Sequence, residues 1–216
     1  MDATLQRRLI EAMGRDAVTP ASAVVTPRDH ERAVAAVRVC ADGAVPLRVR
    51  SSTGGGPTAP DTGIVLSLER LTGVTVHAEG LTLRAEAGAP LDAVRASAAA
   101  AGLSVVGLGS EPGNAGTLIA RGAVPRRSLT GVEAVLPTGE VVAFGGAVLK
   151  DVVGYDLPAV LLGSMGQLAV ILAVTFRLEP QHARTPVASA PGASAGDRHA
   201  LLVRAFDPQG LLQSQS

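Results

Sequence analysis

Pro46-Leu47-Arg48-Val49-Arg50-Ser51-Ser52-Thr53-Gly54-Gly55-Gly56-Pro57 begins as a strand and ends as a loop almost without side chains. Leu47 and Val49 alternate with arginines, and the chain then meets two serines, a threonine and three consecutive glycines. Upstream, Thr26-Pro27-Arg28-Asp29 reads as a helix start. Thr26 is the expected N-cap, Pro27 stands where its missing N–H costs nothing, and Asp29 lies near the positive end of the helix dipole. Ala33, Val34, Val37 and Cys40 follow at helical spacing, and Ala23-Val24-Val25 before them is a strand candidate. The region is therefore a β-α-β unit whose second strand runs directly into the glycines.

Backbone N–H groups with no Cβ in the way, flanked by hydroxyls, suit the spread negative charge of a diphosphate. An ordinary surface loop is the other reading of the same residues. Neither GxGxxG nor a Walker loop is present, which argues against a conventional Rossmann dinucleotide site and an NTPase site.

Beyond the loop the period changes to two. Val74, Val76 and Ala78 alternate with polar residues, as do Leu81, Leu83 and Ala85, with Glu79-Gly80 as the turn of a hairpin. Leu91, Val94, Ala98 and Ala101 give a helix after Pro90 its buried stripe. Residues 132–136 and 140–144 pair around Pro137-Thr138-Gly139. A second glycine-containing loop, Gly109 to Thr117, lies between apolar residues 103–108 and 118–120; its small residues permit close approach to a flat ligand, or simply connect two elements. Residues 157–176 are almost uncharged and long enough to cross a bilayer, but Pro158 and the turn residues 163–167 interrupt them. A short helix, a turn and a buried strand are preferred to a membrane span. Clustered strands alongside alternating helices make the class α+β. Residues 185–197 read as a linker, and 200–206 as a last strand before a polar tail.

The 216 residues carry 19 basic and 19 acidic side chains, so no basic field exists to hold nucleic acid. Aromatic residues are 2%, leaving little to stack bases and a core of aliphatic side chains. Cys40 stands alone and the four histidines have no ligand spacing, so no metal site is expected. The first 16 residues place Leu5, Leu9 and Met13 on one helical face and lack the apolar run of a signal peptide, which points to the cytoplasm.

The most distinctive run is Phe144-Gly145-Gly146-Ala147-Val148-Leu149-Lys150-Asp151-Val152-Val153-Gly154-Tyr155-Asp156-Leu157, followed by residues 161–171, LLGSMGQLAVI. Lys150 is the chain's one lysine; every other basic residue is Arg. This order resembles the FAD-binding domain of the vanillyl-alcohol-oxidase (PCMH) type, and within it the FAD-binding subunits of bacterial glycolate oxidases. The match runs in order from about Val24 to Pro180. Residues 85–91 are similar to the family's segment linking two lobes, and Pro125-Arg126-Arg127 and residues 136–140 also fit.

The resemblance implies a two-lobed PCMH-type α+β domain over residues 1–180, with lobes of about 1–88 and 89–180. Residues 181–216 would be a linker and C-terminal remnant, without the usual C-terminal cap domain. It implies noncovalent FAD, with Ser51, Ser52, Thr53, Gly54, Gly55 and Gly56 at the pyrophosphate. Pro112, Gly113, Asn114, Gly116 and Thr117 would line the flavin, and Val170 and Ile171 would offer backbone groups. The implied function is the FAD-binding subunit of a glycolate-oxidase-like complex acting on a 2-hydroxy acid, inactive alone. Its implied partners are a larger flavoprotein subunit and an iron–sulfur subunit, which would also give it a peripheral place at the inner membrane.

The sequence departs from the family at Ser51-Ser52, at Gly113 to Gly116, between Arg127 and Leu129, and at Gln167, Ala169 and Leu172. The alternative is accordingly an assembly subunit that keeps the fold and has lost FAD. No catalytic residue is assigned: Asp156 before Leu157-Pro158 reads as a helix N-cap, and His182 and His199 read as solvated.

Overall fold

The computed structural model describes residues 1–51, 63–145, 156–181 and 212–213. Each of two lobes is built on its own sheet. The first begins with α1 (Ala3–Met13), capped by Asp2, whose carboxylate accepts from the Thr4 and Leu5 amides. Leu5, Leu9 and Met13 are its buried face, as their spacing of four dictates. Strands β1 (Val18–Thr19) and β2 (Val24–Val25) form a short antiparallel pair. Helix α2 (His30–Asp42) buries Ala33, Val34, Ala36, Val37 and Cys40 and leads to β3 (Leu47–Arg50), beside which β4 (Ile64–Ser67) runs parallel. Strand β2 is parallel to β4 on the other side, so the β-α-β expectation holds.

The N-cap of α2 is Asp29 rather than Thr26: the Asp29 carboxylate accepts from the Arg32 amide at 2.8 Å. The Thr26 amide instead donates to Ala17 O, which keeps Thr26 in the extended segment after β2. A further strand, β11 (Leu212–Gln213), pairs parallel with β3, within what reads in sequence as a polar tail. The expected linker at 185–197 and strand at 200–206 lie outside the described residues.

The second sheet is antiparallel. Strands β5 (Val74–His77) and β6 (Thr82–Glu86) form the expected hairpin, and β8 (Leu129–Val135) pairs with β9 (Val141–Gly145) around the expected turn. Between β6 and β8 lies β10 (Val170–Pro180), whose last residues also pair with β7 (Leu103–Val105). The hairpin 74–86, which a division near residue 88 assigns to the first lobe, is thus hydrogen-bonded into the second sheet.

Strand β10 explains the uncharged stretch. Its Ile171, Val174 and Phe176 enter a core shared with helices α3 (Leu91–Ala100), α4 (Ala115–Ala120) and α5 (Leu157–Leu161). Its Val170 and Leu172, with Ala87 and Val135, enter the core of the first lobe. Residues 170–176 of β10 are buried on both faces and leave no position for a charge, which is why the stretch ending there mimics a membrane span in hydropathy. Among the described residues no helix is long and apolar enough to cross a membrane. Helix α3 buries Leu91, Val94 and Ala98, while Ala101 is exposed as its C-cap. Residues 115–117 are not loop but the first turn of α4, with Asn114 as N-cap.

Candidate functional site

The start of the first loop singled out in sequence meets the end of the second. Ser51, at the end of β3, is buried, and its Oγ lies 2.7 Å from Asn114 Oδ1 and 2.8 Å from Thr117 Oγ1. The proton positions follow from valence. Asn114 Oδ1 accepts from the Thr117 backbone amide at 2.9 Å, so that atom is the oxygen. Ser51 must then donate its one proton to Asn114, and Thr117 Oγ1 donates to Ser51. Both hydroxyls are engaged within the protein, as is the Asn114 carbonyl.

The amides of α4's first turn are engaged in the same way. Ala115 N donates to Ala89 O at 3.0 Å and Gly116 N donates to Ala87 O at 2.8 Å. Ala87 N in turn donates to Leu172 O at 2.8 Å, so one residue bridges the start of α4 to the start of β10. Gly88 N donates to Leu71 O. Residues 87–89 are therefore the crossing between lobes, and they tolerate no bulk. A Cβ on Gly88 would lie 2.3 Å from Leu68 O, and one on Gly116 would lie 3.0 Å from both Ala87 Cβ and Ala87 O. This is where the family's linking segment was expected.

Val170 and Ile171 pair with Val135 and Ala134 of β8, and both side chains are buried in the cores. They present only main chain to a ligand. Pro112 and Gly113 stand at the end of a loop that Arg95 of α3 holds: its guanidinium donates to Gly109 O at 2.9 Å and Glu111 O at 3.2 Å. That clamp left no signal in sequence, since Arg95 is one arginine among many. Ser52, Thr53, Gly54, Gly55 and Gly56 lie outside the described residues, as do Lys150 and Tyr155.

This donor set tests the fit to a dinucleotide. The Ser51 and Thr117 hydroxyl protons, the Asn114 side-chain oxygen and the amides of 115–117 are paired within the protein. What fits among the described residues is a ligand approaching main chain at a seam of small residues.

Asp156 caps α5 as expected, accepting from the Ala159 amide at 3.3 Å. Arg126 Nε donates to both of its oxygens at 2.9 Å. The hydrogen bond from Arg126 holds the carboxyl below its ordinary range, opposing a role as proton donor. Burial pushes the Cys40 thiol up to about 12, far from a reactive thiolate. Among the described residues no group of His, Cys, Asp and Glu is placed to hold a metal. A cavity of about 720 Å³ lies between the β5–β6 turn, Thr130 and Gly145, at the opposite end of β8 from Val170 and away from the seam.

Comparison with known proteins bears on this seam. A D-lactate dehydrogenase of Archaeoglobus fulgidus is 34% identical over 171 residues, 73% of this chain and 39% of its own. A D-2-hydroxyglutarate dehydrogenase of Xanthomonas citri pv. viticola is 33% identical over 172 residues, 72% and 36% of the two chains. The glycolate oxidase subunit GlcD of Bacillus subtilis is 27% identical over 174 residues, 74% and 37%. The chain thus spans little more than a third of the length of these relatives. The structure of a 4-ethylphenol oxidase from Gulosibacter chungangensis superposes with a TM-score of 0.67, over 82% of this chain and 42% of that one, at 17% identity. That likeness is one of fold. The FAD binding domain family matches residues 21–145, more than half the chain. With its two sheets and the motifs that resemble the PCMH type, the chain belongs to this family of FAD-binding domains.

Proposed function

We propose that the chain binds FAD noncovalently at the seam between its lobes and serves as the flavin domain of an oxidoreductase acting on a 2-hydroxy acid. The observation that carries this reading is the Ser51–Asn114–Thr117 cluster, which starts the glycine loop at the N-terminus of α4. Main-chain groups of Ser52 to Gly56 hold the pyrophosphate, Pro112 and Gly113 line the flavin, and Val170 and Ile171 offer backbone groups. Ser51, Asn114, Gly116 and Thr117 fix the seam. Bound FAD supplies the two-electron chemistry. The protein positions it and excludes water, since the seam is lined by buried small residues.

The substrate class follows from the relatives' names, glycolate, lactate and 2-hydroxyglutarate all being 2-hydroxy acids. On the sequence resemblance, and not on the relatives' names, we further propose that residues 1–180 are the flavin domain of a cytoplasmic complex with a larger flavoprotein subunit and an iron–sulfur subunit; the name of the GlcD relative, a glycolate oxidase subunit, supports only membership of a complex. A second reading, an assembly subunit without flavin, draws on the engagement of the second loop's hydroxyls and amides within the protein. Visible absorption of purified protein incubated with FAD and freed of excess separates the two. A retained flavin spectrum, with flavin released on denaturation, is expected; colourless protein overturns the first reading and leaves the second.

A further inference from the structure

We propose that His30 is a proton-dependent strut that closes the first lobe onto the second sheet. His30 opens α2, and its ring enters between two strands of the other lobe: Nε2 lies 3.1 Å from Glu86 Oε1 on β6, and Nδ1 lies 3.6 Å from Glu133 Oε2 on β8. An ionised carboxylate only accepts, and a neutral imidazole carries a single N–H. With a neutral ring, one carboxylate faces a bare nitrogen lone pair; the imidazolium alone offers a proton to each side. Nε2 is sealed from solvent and has no aligned hydrogen bond, so its contact with Glu86 is attractive only when the ring is protonated.

The carboxylates are fixed before the ring arrives. Arg84 of β6 grips Glu133 through Nε at 2.6 Å and Nη2 at 2.7 Å, and Gly73 N donates to Glu86 Oε2 at 2.7 Å. The Arg84 hydrogen bond holds the Glu133 carboxyl below its ordinary range, so it stays charged in the pH range where a histidine changes charge. On α2 itself the neighbouring charges are Asp29, Glu31 and Arg32; Arg32 turns back to Asp29 and to Met13 O. His30 is therefore the first lobe's only charged partner in this cluster among the interactions described. Arg38, one helical face further along α2, adds a neutral contact to Gly139 O at 3.0 Å.

The sign follows. Protonated His30 attracts both carboxylates and tightens the lobes; a ring without its second proton releases one of them. The proposed stabilisation belongs to the doubly protonated ring and is absent from the singly protonated one. It does not depend on flavin binding, so the test uses the full chain without FAD.

Thermal midpoints of the wild type, His30→Gln, Glu86→Gln and Glu133→Gln are measured from pH about 5.5 to about 8.5 at constant ionic strength. The wild type is expected to exceed His30→Gln by about 3 °C at the acid end, with the gap closing at the alkaline end. Glu86→Gln, which keeps the size of the side chain, is expected to follow the same course. In a Glu86→Gln, Glu133→Gln background, replacing His30 should no longer give a pH-dependent gap. A gap constant with pH means that His30 only packs and overturns the proposal, as does no gap at all. Hydrogen exchange at Gly116 N, corrected for its intrinsic pH dependence, should be several-fold slower in the wild type than in His30→Gln at pH about 6. Equal protection overturns the link from strut to seam.

Discussion

Gly116 and Ser51 meet at a spacing that leaves no room for change. A methyl group on Gly116 would lie 3.0 Å from Ala87 O, which is held by the Gly116 amide itself, and 3.3 Å from Ser51 Cβ. Gly116→Ala is expected to destabilise the protein by about 1–3 kcal/mol, read from denaturant unfolding. Unchanged stability would mean that the lobes slide freely at this point. Ser51→Ala acts differently. It removes one donor from Asn114 and leaves the Thr117 hydroxyl proton without its acceptor in a buried place. A loss of about 1–2 kcal/mol is expected in the same measurement, with Ser51→Thr recovering part of it if the added methyl is accommodated. Both positions were legible as small or hydroxylic residues of candidate loops. Their meeting was not, because a hydroxyl bonded to another side chain and one open to a ligand look identical in a sequence.

At the scale of elements, β10 contributes to both cores, and the Arg84–Glu133 pair ties β6 to β8 across it within the second sheet. Among the described residues Phe176, on β10, is the largest fully buried side chain, and it belongs to the core that also holds residues of α3 and α4. Phe176→Ala is expected to cost about 3–5 kcal/mol, visible as a lower midpoint of chemical denaturation or as loss of folded protein. The pair between Arg84 on β6 and Glu133 on β8 predicts a pH effect. The folded-state value of Glu133 lies below its ordinary one, first because of the hydrogen bond from Arg84. Its stabilisation is therefore fully present above the unfolded carboxyl value of about 4.3 and is lost as pH falls through the folded value. Arg84→Met should flatten the fall of stability below pH about 5; an unchanged slope would show that the pair is solvent-screened. The strands, their pairing around residues 78–81 and 137–139, and the helix capped by Asp156 were all readable from period and turn chemistry. The start of α2 was not read correctly. Thr26 and Asp29 are both competent caps, and the start of the helix at His30, with the Asp29 carboxylate accepting from the Arg32 amide, decides between them.

For the whole molecule, the two lobes share side chains from one sheet: Ala87, Val135, Val170 and Leu172 belong to the core of the first lobe although their strands lie in the second. A ligand at the seam touches both lobes and stabilises both. FAD at about a hundred times its Kd is expected to raise the thermal midpoint by about 5–10 °C, and a flat response would count against binding at the seam. The Ser51→Ala chain should show a smaller rise at equal FAD concentration, since its loops are no longer held together.

Local chemistry alone determined a great deal here: the α+β class, the alternation of the strands, and a resemblance that the family match over residues 21–145 upheld. These are properties of short stretches, set by spacing, capping and turn residues. Only the tertiary structure decided that the hairpin 74–86 joins the second sheet and that Ser51 meets Asn114 and Thr117. It alone brings His30 between Glu86 and Glu133. Such contacts join residues scores of positions apart, and nothing in either partner's neighbourhood records the other, because they are set by how the two lobes pack.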